Sequence, residues 1–267
     1  MRLNKVISKR PLRTYVSILG LVLAAGVAEA DKMVKERTVD CDKGQDPADV
    51  LERNPGPQRL IITLKGHCPG FEIERDDVVV TGNDDNGCPA ATVEGTIDAR
   101  GQRTLIDCLY VTGAGSGVVA ISNASVTIRN SSISDNEQFG VSAAQSTVSV
   151  FGSQVSGNTG AGIFANGARV GVNGSQVVNN AGAGIELNTN SSADIDHAQI
   201  NGNSTSDLFL SLHSVATGAD NGIGAISLQN DSGVVFFGGS ISGPVNCADD
   251  ESSALFDGVV PAGCTGF

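Results

Sequence analysis

The residues best suited to chemistry lie close together in the second half of the chain. The segment 193–197, ADIDH, places Asp194 and Asp196 at positions i and i+2 with His197 beside them. In an extended strand such alternate side chains share a face, with Cα atoms about 6.5–7 Å apart. Arg169 is the only lysine or arginine in this half of the chain. These four residues are therefore the candidate functional site.

Three hypotheses fit this group. Asp194 and Asp196 could bind Ca²⁺ through their oxygens, the ion could bridge to an anionic sugar, and Arg169 or His197 would then be the base. Alternatively, the two aspartates could act as the acid/base pair of a glycoside hydrolase, whose carboxyl groups lie roughly 5–9.5 Å apart. In the third hypothesis they are solvated surface charges beside a turn that holds His197.

An internal repeat indicates which elements position these residues. Short apolar and polar alternations recur every 22 or 23 residues, with Gly, Asn and Ser between them, and this is the periodicity of short strands separated by tight turns. The same repeat carries an asparagine column, for which a structural hydrogen-bonding role is expected: Asn136, Asn158, Asn180 and Asn203. In this alignment Arg169 falls opposite Ser192, one coil before Asp194. A unit this short cannot bury its apolar side chains alone, so stacked units must share one core.

With this spacing and this asparagine column, the chain from about Val39 to Cys247 resembles the right-handed parallel β-helix superfamily, which includes pectate lyases. The resemblance implies an all-β solenoid of about nine coils. In the segment 193–197, Ile195-Asp196-His197 is similar to the Ile-Asp-His core of a motif found in pectate lyases. Asp194 stands where that motif has tryptophan. The strings that mark β-helical polygalacturonases are absent.

The ends of the chain predict export and two caps. Residues 1–30 carry five basic residues, an apolar run and an Ala-Glu-Ala site, the order of a cleaved signal peptide, so a secreted or periplasmic location is expected. The remaining residues 31–267 form one predicted domain, with an N-terminal cap at 31–59, coils at 60–246 and a C-terminal cap at 247–267. Asp46 and Pro47 predict the start of a short capping helix.

Six cysteines in an exported protein indicate disulfides. The expected pairs are sequential and tie the two ends and one pair of coils: Cys41–Cys68, Cys88–Cys108 and Cys247–Cys264. The acidic loop at 83–87, NDDNG, could bind Ca²⁺ but lacks the ligand spacing of an EF-hand, which favours a turn anchored by a disulfide.

Charge narrows the choice of partner. Without residues 1–30 the chain has 12 basic and 28 acidic residues, a net charge of −16. Such a surface repels phosphate backbones and anionic membranes, so no nucleic-acid partner is expected, and no later segment is apolar enough to span a membrane. Aromatic residues are few: the chain has no tryptophan, and Phe151 is the one aromatic side chain expected to point outward in the repeats.

Together these features favour a non-catalytic exported β-helix that binds a polysaccharide or an envelope or extracellular surface, with no obligatory cofactor. The first alternative is a Ca²⁺-assisted polysaccharide lyase or glycoside hydrolase centred on Asp194, Asp196, His197 and Arg169. The second is a structural spacer without a ligand.

Overall fold

The computed structural model describes residues 34–82, 88 and 91–266. The expected signal peptide and the acidic loop at 83–87 lie outside the described residues. Contacts divide the chain into two units, Met1–Val34 and Lys35–Phe267, and the helices and strands from Lys35 onward belong to the second unit. Among the described residues, no helix has the length and apolar character needed to cross a membrane.

The described chain begins with a cap. Strand β1 (Val34–Asp40) pairs with β2 (Arg59–Ile73), and between them lie a 3-10 helix (Cys41–Lys43) and helix α1 (Pro47–Glu52). The Asp46 side chain accepts a hydrogen bond from the Ala48 N–H at 2.9 Å, and Pro47 occupies the first turn, as the sequence predicts. Leu51 of α1 joins the hydrophobic core, so the helix covers the first coil.

The rest of the unit is a parallel solenoid with three faces. Strand β2 turns through all three faces, and β4 (Ala91–Ala99) through the second and third. The first face continues with β3 (Val78–Thr81), β5 (Thr104–Asp107), β8 (Ser125–Arg129), β11 (Thr147–Phe151), β14 (Arg169–Asn173), β17 (Ser192–Asp196), β20 (Val215–Ala219), β23 (Gly233–Phe237) and β26 (Ser253–Phe256). The second has β6 (Leu109–Thr112), β9 (Ser132–Ser134), β12 (Gln154–Ser156), β15 (Gln176–Val178), β18 (Gln199–Asn201), β21 (Gly222–Ile223) and β24 (Ser240–Ile241). The third has β7 (Val118–Ala120), β10 (Val141–Ala144), β13 (Ile163–Asn166), β16 (Ile185–Asn188), β19 (Leu208–Leu210), β22 (Ile226–Leu228) and β25 (Val245–Cys247).

Successive strands of each face pair in parallel from one coil to the next, so equivalent side chains form columns. The inward columns are the Val and Ile positions that the repeat marks; Val148, for example, lies between Val126 and Val170 and is fully buried. Alternation along each strand sends the intervening residues outward. The predicted all-β parallel β-helix is confirmed, and its roughly ten coils agree with the expected number of about nine.

The asparagine column is a buried hydrogen-bonded ladder. The side-chain amide of Asn136 donates to Asn158 Oδ1 at 2.8 Å, Asn158 donates to Asn180 at 2.9 Å, and Asn180 donates to Asn203 at 2.9 Å. The same oxygens also accept backbone N–H groups; Asn180 Oδ1, for example, accepts the N–H of Asn158 at 3.1 Å. Buried amides are costly when unpaired, so the ladder fixes the register of the coils.

The ladder explains why glycine directly precedes four of the third-face strands, β7, β10, β13 and β16. A Cβ at Gly140 would lie 2.7 Å from Asn158 Nδ2 and 2.4 Å from Val155 Cγ1, and Gly162 and Gly184 meet equivalent atoms of the next coil. The turn therefore admits no side chain at this position.

A buried carboxylate ends the ladder. Asp207 accepts the Asn203 side-chain amide at 2.8 Å and, with its other oxygen, the Ala225 N–H at 2.7 Å. Ala225 follows Asp207 by only 18 residues, whereas the preceding repeats have 22 or 23. The shorter coil leaves a backbone N–H facing the ladder, and a carboxylate, which only accepts hydrogen bonds, satisfies it.

Three disulfides join the cysteines in the pairs expected from the sequence: Cys41–Cys68, Cys88–Cys108 and Cys247–Cys264. The first ties the cap to β2, and the last ties the C-terminal tail to β25. The tail also pairs with the last coil through a bridge between Ser253 and Thr265.

We predict that Asn158→Ala lowers the free energy of unfolding by about 2–4 kcal/mol. The substitution removes the four hydrogen bonds of the Asn158 side chain and leaves the buried side-chain amide and backbone N–H of Asn136 without their acceptor. Asn201→Ala is the matched control, because Asn201 is exposed at the end of β18. Urea titration followed by circular dichroism measures both. Equal stability of the two variants would contradict the structural role of the ladder.

Candidate functional site

Three of the four predicted site residues, Arg169, Asp194 and Asp196, lie on the outer surface of the first face. Three adjacent strands, β11, β14 and β17, each direct alternate residues outward in register. These residues form a three-by-three grid, with coils about 4.8 Å apart and alternate residues about 6.5–7 Å apart. The rows are Thr147, Ser149 and Phe151; Arg169, Gly171 and Asn173; and Ser192, Asp194 and Asp196.

The centre of this grid is glycine, so the surface has a hole where its neighbours have side chains. Gly171 lies between Ser149 and Asp194 along the rod, and between Arg169 and Asn173 along its strand. The resulting cavity, here called the Arg169 notch, has a volume of about 200 Å³ and is lined by the residues of the grid other than Ser192, together with Val170 and Val172. A Cβ at Gly171 would meet only ordinary contacts, the nearest at 3.4 Å.

Arg169 is exposed, and its side chain has no partner among the described residues. No carboxylate lies within ion-pair distance of its guanidinium, and no hydrogen bond to it is found within the described ranges. It lies diagonally across one coil from Asp194, a separation a long side chain could span, but the two groups do not pair.

Basic residues nearer the N-terminus behave differently. The Arg103 guanidinium donates to both oxygens of Asp77 at 2.6 Å and holds the pKa of that carboxyl below its ordinary value. Arg100 pairs with Glu72 and with Asp98, the latter at 2.8 Å. The free guanidinium of Arg169 in an otherwise acidic region is therefore available to a ligand.

The two aspartates line the notch in different states. Asp194 is exposed, and no bond to its carboxylate is found in the described part of the chain. Asp196 is half-buried, and its Oδ1 accepts the Ala219 N–H of the next coil at 2.9 Å. Asp196 thus helps to hold the following turn and presents its remaining oxygen to the notch.

His197 follows Asp196 but does not line the notch. It occupies the left-handed region at φ 52°, and its Nε2 lies 3.6 Å from Asp220 Oδ2. The chain turns the corner between the first and second faces here, which separates the imidazole from the two carboxylates. Of the four predicted site residues, the structure brings together Arg169, Asp194 and Asp196.

Two larger troughs flank the notch. On one side, a trough of about 830 Å³ shares Arg169 and Thr147 with the notch and is otherwise lined by small residues and by four amides, Gln102, Asn123, Gln145 and Asn190. We call it the amide trough. On the other side, a trough of about 710 Å³ begins at Gly152 and Gly174, directly after Phe151 and Asn173 in the chain, and extends to Tyr110, Gln154 and Gln176. We call it the tyrosine trough.

Comparison with known proteins identifies the family to which this architecture belongs. The sequence profile described as "Right handed beta helix region" matches residues 70–247. The chain belongs to the right-handed β-helix family. Among solved structures it is similar to the pectate lyase Pel9A, with 13% identity, a TM-score of 0.57, and coverage of 86% of this chain and 82% of that one. It also matches the A-module of the mannuronan C-5 epimerase AlgE4 of Azotobacter vinelandii, with 17% identity, a TM-score of 0.43, and coverage of 74% and 75%. No curated protein sequence matches it significantly.

The donor set of this β-helix protein bears on the calcium hypothesis. Ca²⁺ prefers about six to eight oxygen ligands. The notch offers two carboxylates, one of which already accepts a backbone hydrogen bond. Nowhere in residues 34–82, 88 and 91–266 do three or more His, Cys, Asp or Glu side chains form a group that could hold a metal ion. The notch therefore suits hydrogen bonding better than high-coordination metal binding.

The expectation that Phe151 is the one outward aromatic of the repeats is wrong. Phe151 is 41% exposed at a corner of the notch. Phe164 and Phe209 are also half-buried on the outer surface of the third face, and Phe139 is half-buried in the turn next to it. Phe164 and Phe209 follow inward residues of their strands, so strand alternation alone could have revealed them. Phe139 lies in a turn, where no such period applies.

We predict that Arg169→Ala changes the free energy of unfolding by less than about 0.5 kcal/mol, because the guanidinium has no protein partner. Arg75→Ala is the contrasting variant. The Arg75 guanidinium donates to the carbonyls of Asn54 and Gln58, and partial burial lowers its pKa. Its removal should cost more than about 1 kcal/mol. Urea titration measures both, and a large loss for Arg169→Ala would show that this side chain is structural.

Proposed function

We propose that this β-helix protein is a non-catalytic binder of an extended polysaccharide, which it holds across its first face. The observation that carries the proposal is the Arg169 notch: a cavity at a central glycine, ringed by an unpaired arginine, an exposed phenylalanine and two carboxylates. Sugars have hydroxyl groups that pair with carboxylate and guanidinium groups, and apolar ring faces that pack on aromatic side chains.

The neighbouring troughs support a ligand longer than one sugar. The amide trough, the notch and the tyrosine trough follow one another along the strand direction on the same coils, since Gln145, Thr147, Phe151 and Gln154 belong to a single coil. Strand β11 alone spans about 16 Å of extended chain, and Gln154 lies beyond the corner, on the second face. Amides both donate and accept hydrogen bonds, so the two troughs suit the hydroxyl groups of a chain that crosses the rod.

The shape of the notch favours binding over catalysis. General acid and base groups are normally desolvated or held close to a second ionisable group. Asp194 is exposed, His197 lies outside the notch, and Asp196 shares an oxygen with the backbone. The likeness to a pectate lyase, at 13% identity, concerns the fold alone.

The protein acts outside the cytoplasm in this proposal, in the periplasm or the medium. Three disulfides among the described residues suit an oxidising compartment. An acidic surface and polar outer columns suit contact with an envelope or extracellular glycan.

The test measures thermal unfolding of the oxidised protein with a panel of neutral and acidic polysaccharides, each with and without Ca²⁺. A ligand of the folded state raises the melting temperature, and the shift grows with the ratio of ligand concentration to Kd. We expect at least one polysaccharide to raise it without Ca²⁺, and Gly171→Val and Arg169→Ala to weaken the affinity at least tenfold. Gly171→Val fills the notch from a strand position with open space above it.

Thr127→Val is the matched control. Thr127 occupies the same outward column as Gly171, two coils earlier, and does not line the notch. It should leave the affinity unchanged within twofold. Equal losses for both variants, or no shift with any polysaccharide, would reject the notch as a glycan site and leave the spacer role.

Product analysis distinguishes the enzyme alternative. Incubation with the bound polysaccharide should release neither reducing ends nor unsaturated uronates. Ca²⁺-dependent release that disappears in Asp194→Asn/Asp196→Asn would replace the binding proposal with the lyase or hydrolase.

A further inference from the structure

Away from the notch and its two troughs, another cavity lies where the turn between the second and third faces meets the third face. Phe139 and Phe209 form two of its walls, and the Gly-Ala pairs at 160–161 and 182–183 form its floor. Its volume is about 280 Å³, and Glu186 lines it. We call this cavity the phenylalanine slot.

The apolar walls are rigidly supported. Phe139 stacks on Phe164 of the next coil, with ring centroids 4.6 Å apart and planes 12° apart. Phe164, Glu186 and Phe209 follow one another in register on three successive coils. The backbone of Glu186 therefore lies between those of Phe164 and Phe209, about 4.8 Å along the rod from each.

Glu186 lacks a cationic partner. Its Oε1 accepts the Asn188 side-chain amide at 2.8 Å, which orients the carboxylate, and no basic group pairs with it in the described part of the chain. The surroundings are also acidic: from Asn130 to the end, the chain has 12 carboxylate side chains and one arginine. This field attracts cations and repels anions.

We infer that the slot holds a basic side chain of a partner protein, with lysine as the preferred residue. A lysine has an aliphatic stem that would pack on Phe139, Phe209 and the alanine methyl groups. Its ammonium group would pair with Glu186 and be attracted by the ring faces. A cavity of this volume accepts one long side chain rather than a folded surface, so the rest of the partner would lie over the polar outer columns.

The experiment titrates the full oxidised protein with an acetylated, amidated pentapeptide, Gly-Gly-Lys-Gly-Gly, and with its norleucine analogue, by isothermal titration calorimetry or by chemical shifts of the phenylalanine rings. Norleucine keeps the stem and removes the charge. We expect the lysine peptide to bind at least tenfold more tightly than the analogue. Glu186→Gln should weaken binding at least tenfold and Phe209→Leu at least threefold. Phe209→Leu removes the ring but keeps an apolar side chain at a half-buried outward position, so folding is preserved.

Glu251→Gln is the matched control, since it makes the same change at an exposed site in the acidic C-terminal region. It should alter lysine-peptide binding by less than twofold. Equal effects of Glu251→Gln and Glu186→Gln would mean general charge attraction and overturn the inference. Equal binding of the lysine and norleucine peptides would also overturn it. So would a neutral disaccharide that competes with the lysine peptide and no longer binds to the Glu186→Gln variant. None of these outcomes depends on the Arg169 notch, which lies on another face.

Discussion

Each coil of this protein gives its backbone hydrogen bonds almost entirely to the coil before it and the coil after it. A single coil cannot bury its apolar residues, so the fold depends on parallel stacking in exact register. That constraint divides the sequence into two classes of position. Inward positions must match their neighbours above and below, whereas outward positions need only tolerate the strand. The repetitive part of the sequence is therefore structural, and the residues that differ from coil to coil and could bind a ligand are confined to the outer columns.

Register needs more than apolar contacts, because a shift of two residues would keep the Val and Ile side chains inward. The buried polar ladders supply the missing specificity. Each asparagine both donates to the next coil and accepts from the coil before, so such a shift would leave several buried groups unpaired. A serine ladder at the first corner does the same with backbone N–H groups, as in the bond from the Ser131 N–H to Ser153 Oγ at 3.1 Å. Asp207 closes the asparagine ladder where the coil shortens.

This division explains what could be predicted from the sequence. The Val, Ile and Asn columns repeat at 22 or 23 residues, so the fold, the strand register and the opposition of Arg169 and Ser192 follow from alignment alone. Asp46 and Pro47 predict the capping helix because local chemistry determines a helix start. The notch could not be predicted in the same way. Gly171 lies at an outward position where glycine usually means only a weak strand, and its meaning depends on the eight side chains around it.

The phenylalanine slot illustrates the same limit. Phe164 and Phe209 can be placed by alternation, but the stack on Phe139 joins a strand to a turn of the preceding coil, and no period connects them. Likewise, the absence of a partner for Arg169 is a three-dimensional fact: a long side chain one coil from a carboxylate is normally expected to pair with it.

The distribution of charge suggests why both sites lie in the same part of the rod. Near the N-terminus arginines are matched by carboxylates, as in the pair of Arg103 and Asp77 at 2.6 Å, so local charge is largely neutralised. Beyond Arg129 no carboxylate of the described residues pairs with a lysine or arginine, so this part of the surface keeps its negative charge. The notch and the slot share coils but face different directions, with the buried Val and Ile columns between them. Because contacts in a solenoid extend only to neighbouring coils and the core is close-packed, occupation of one site needs no rearrangement at the other. The two proposals therefore place a polysaccharide and a basic partner side chain on different faces, and the close-packed core fixes the distance between the two sites.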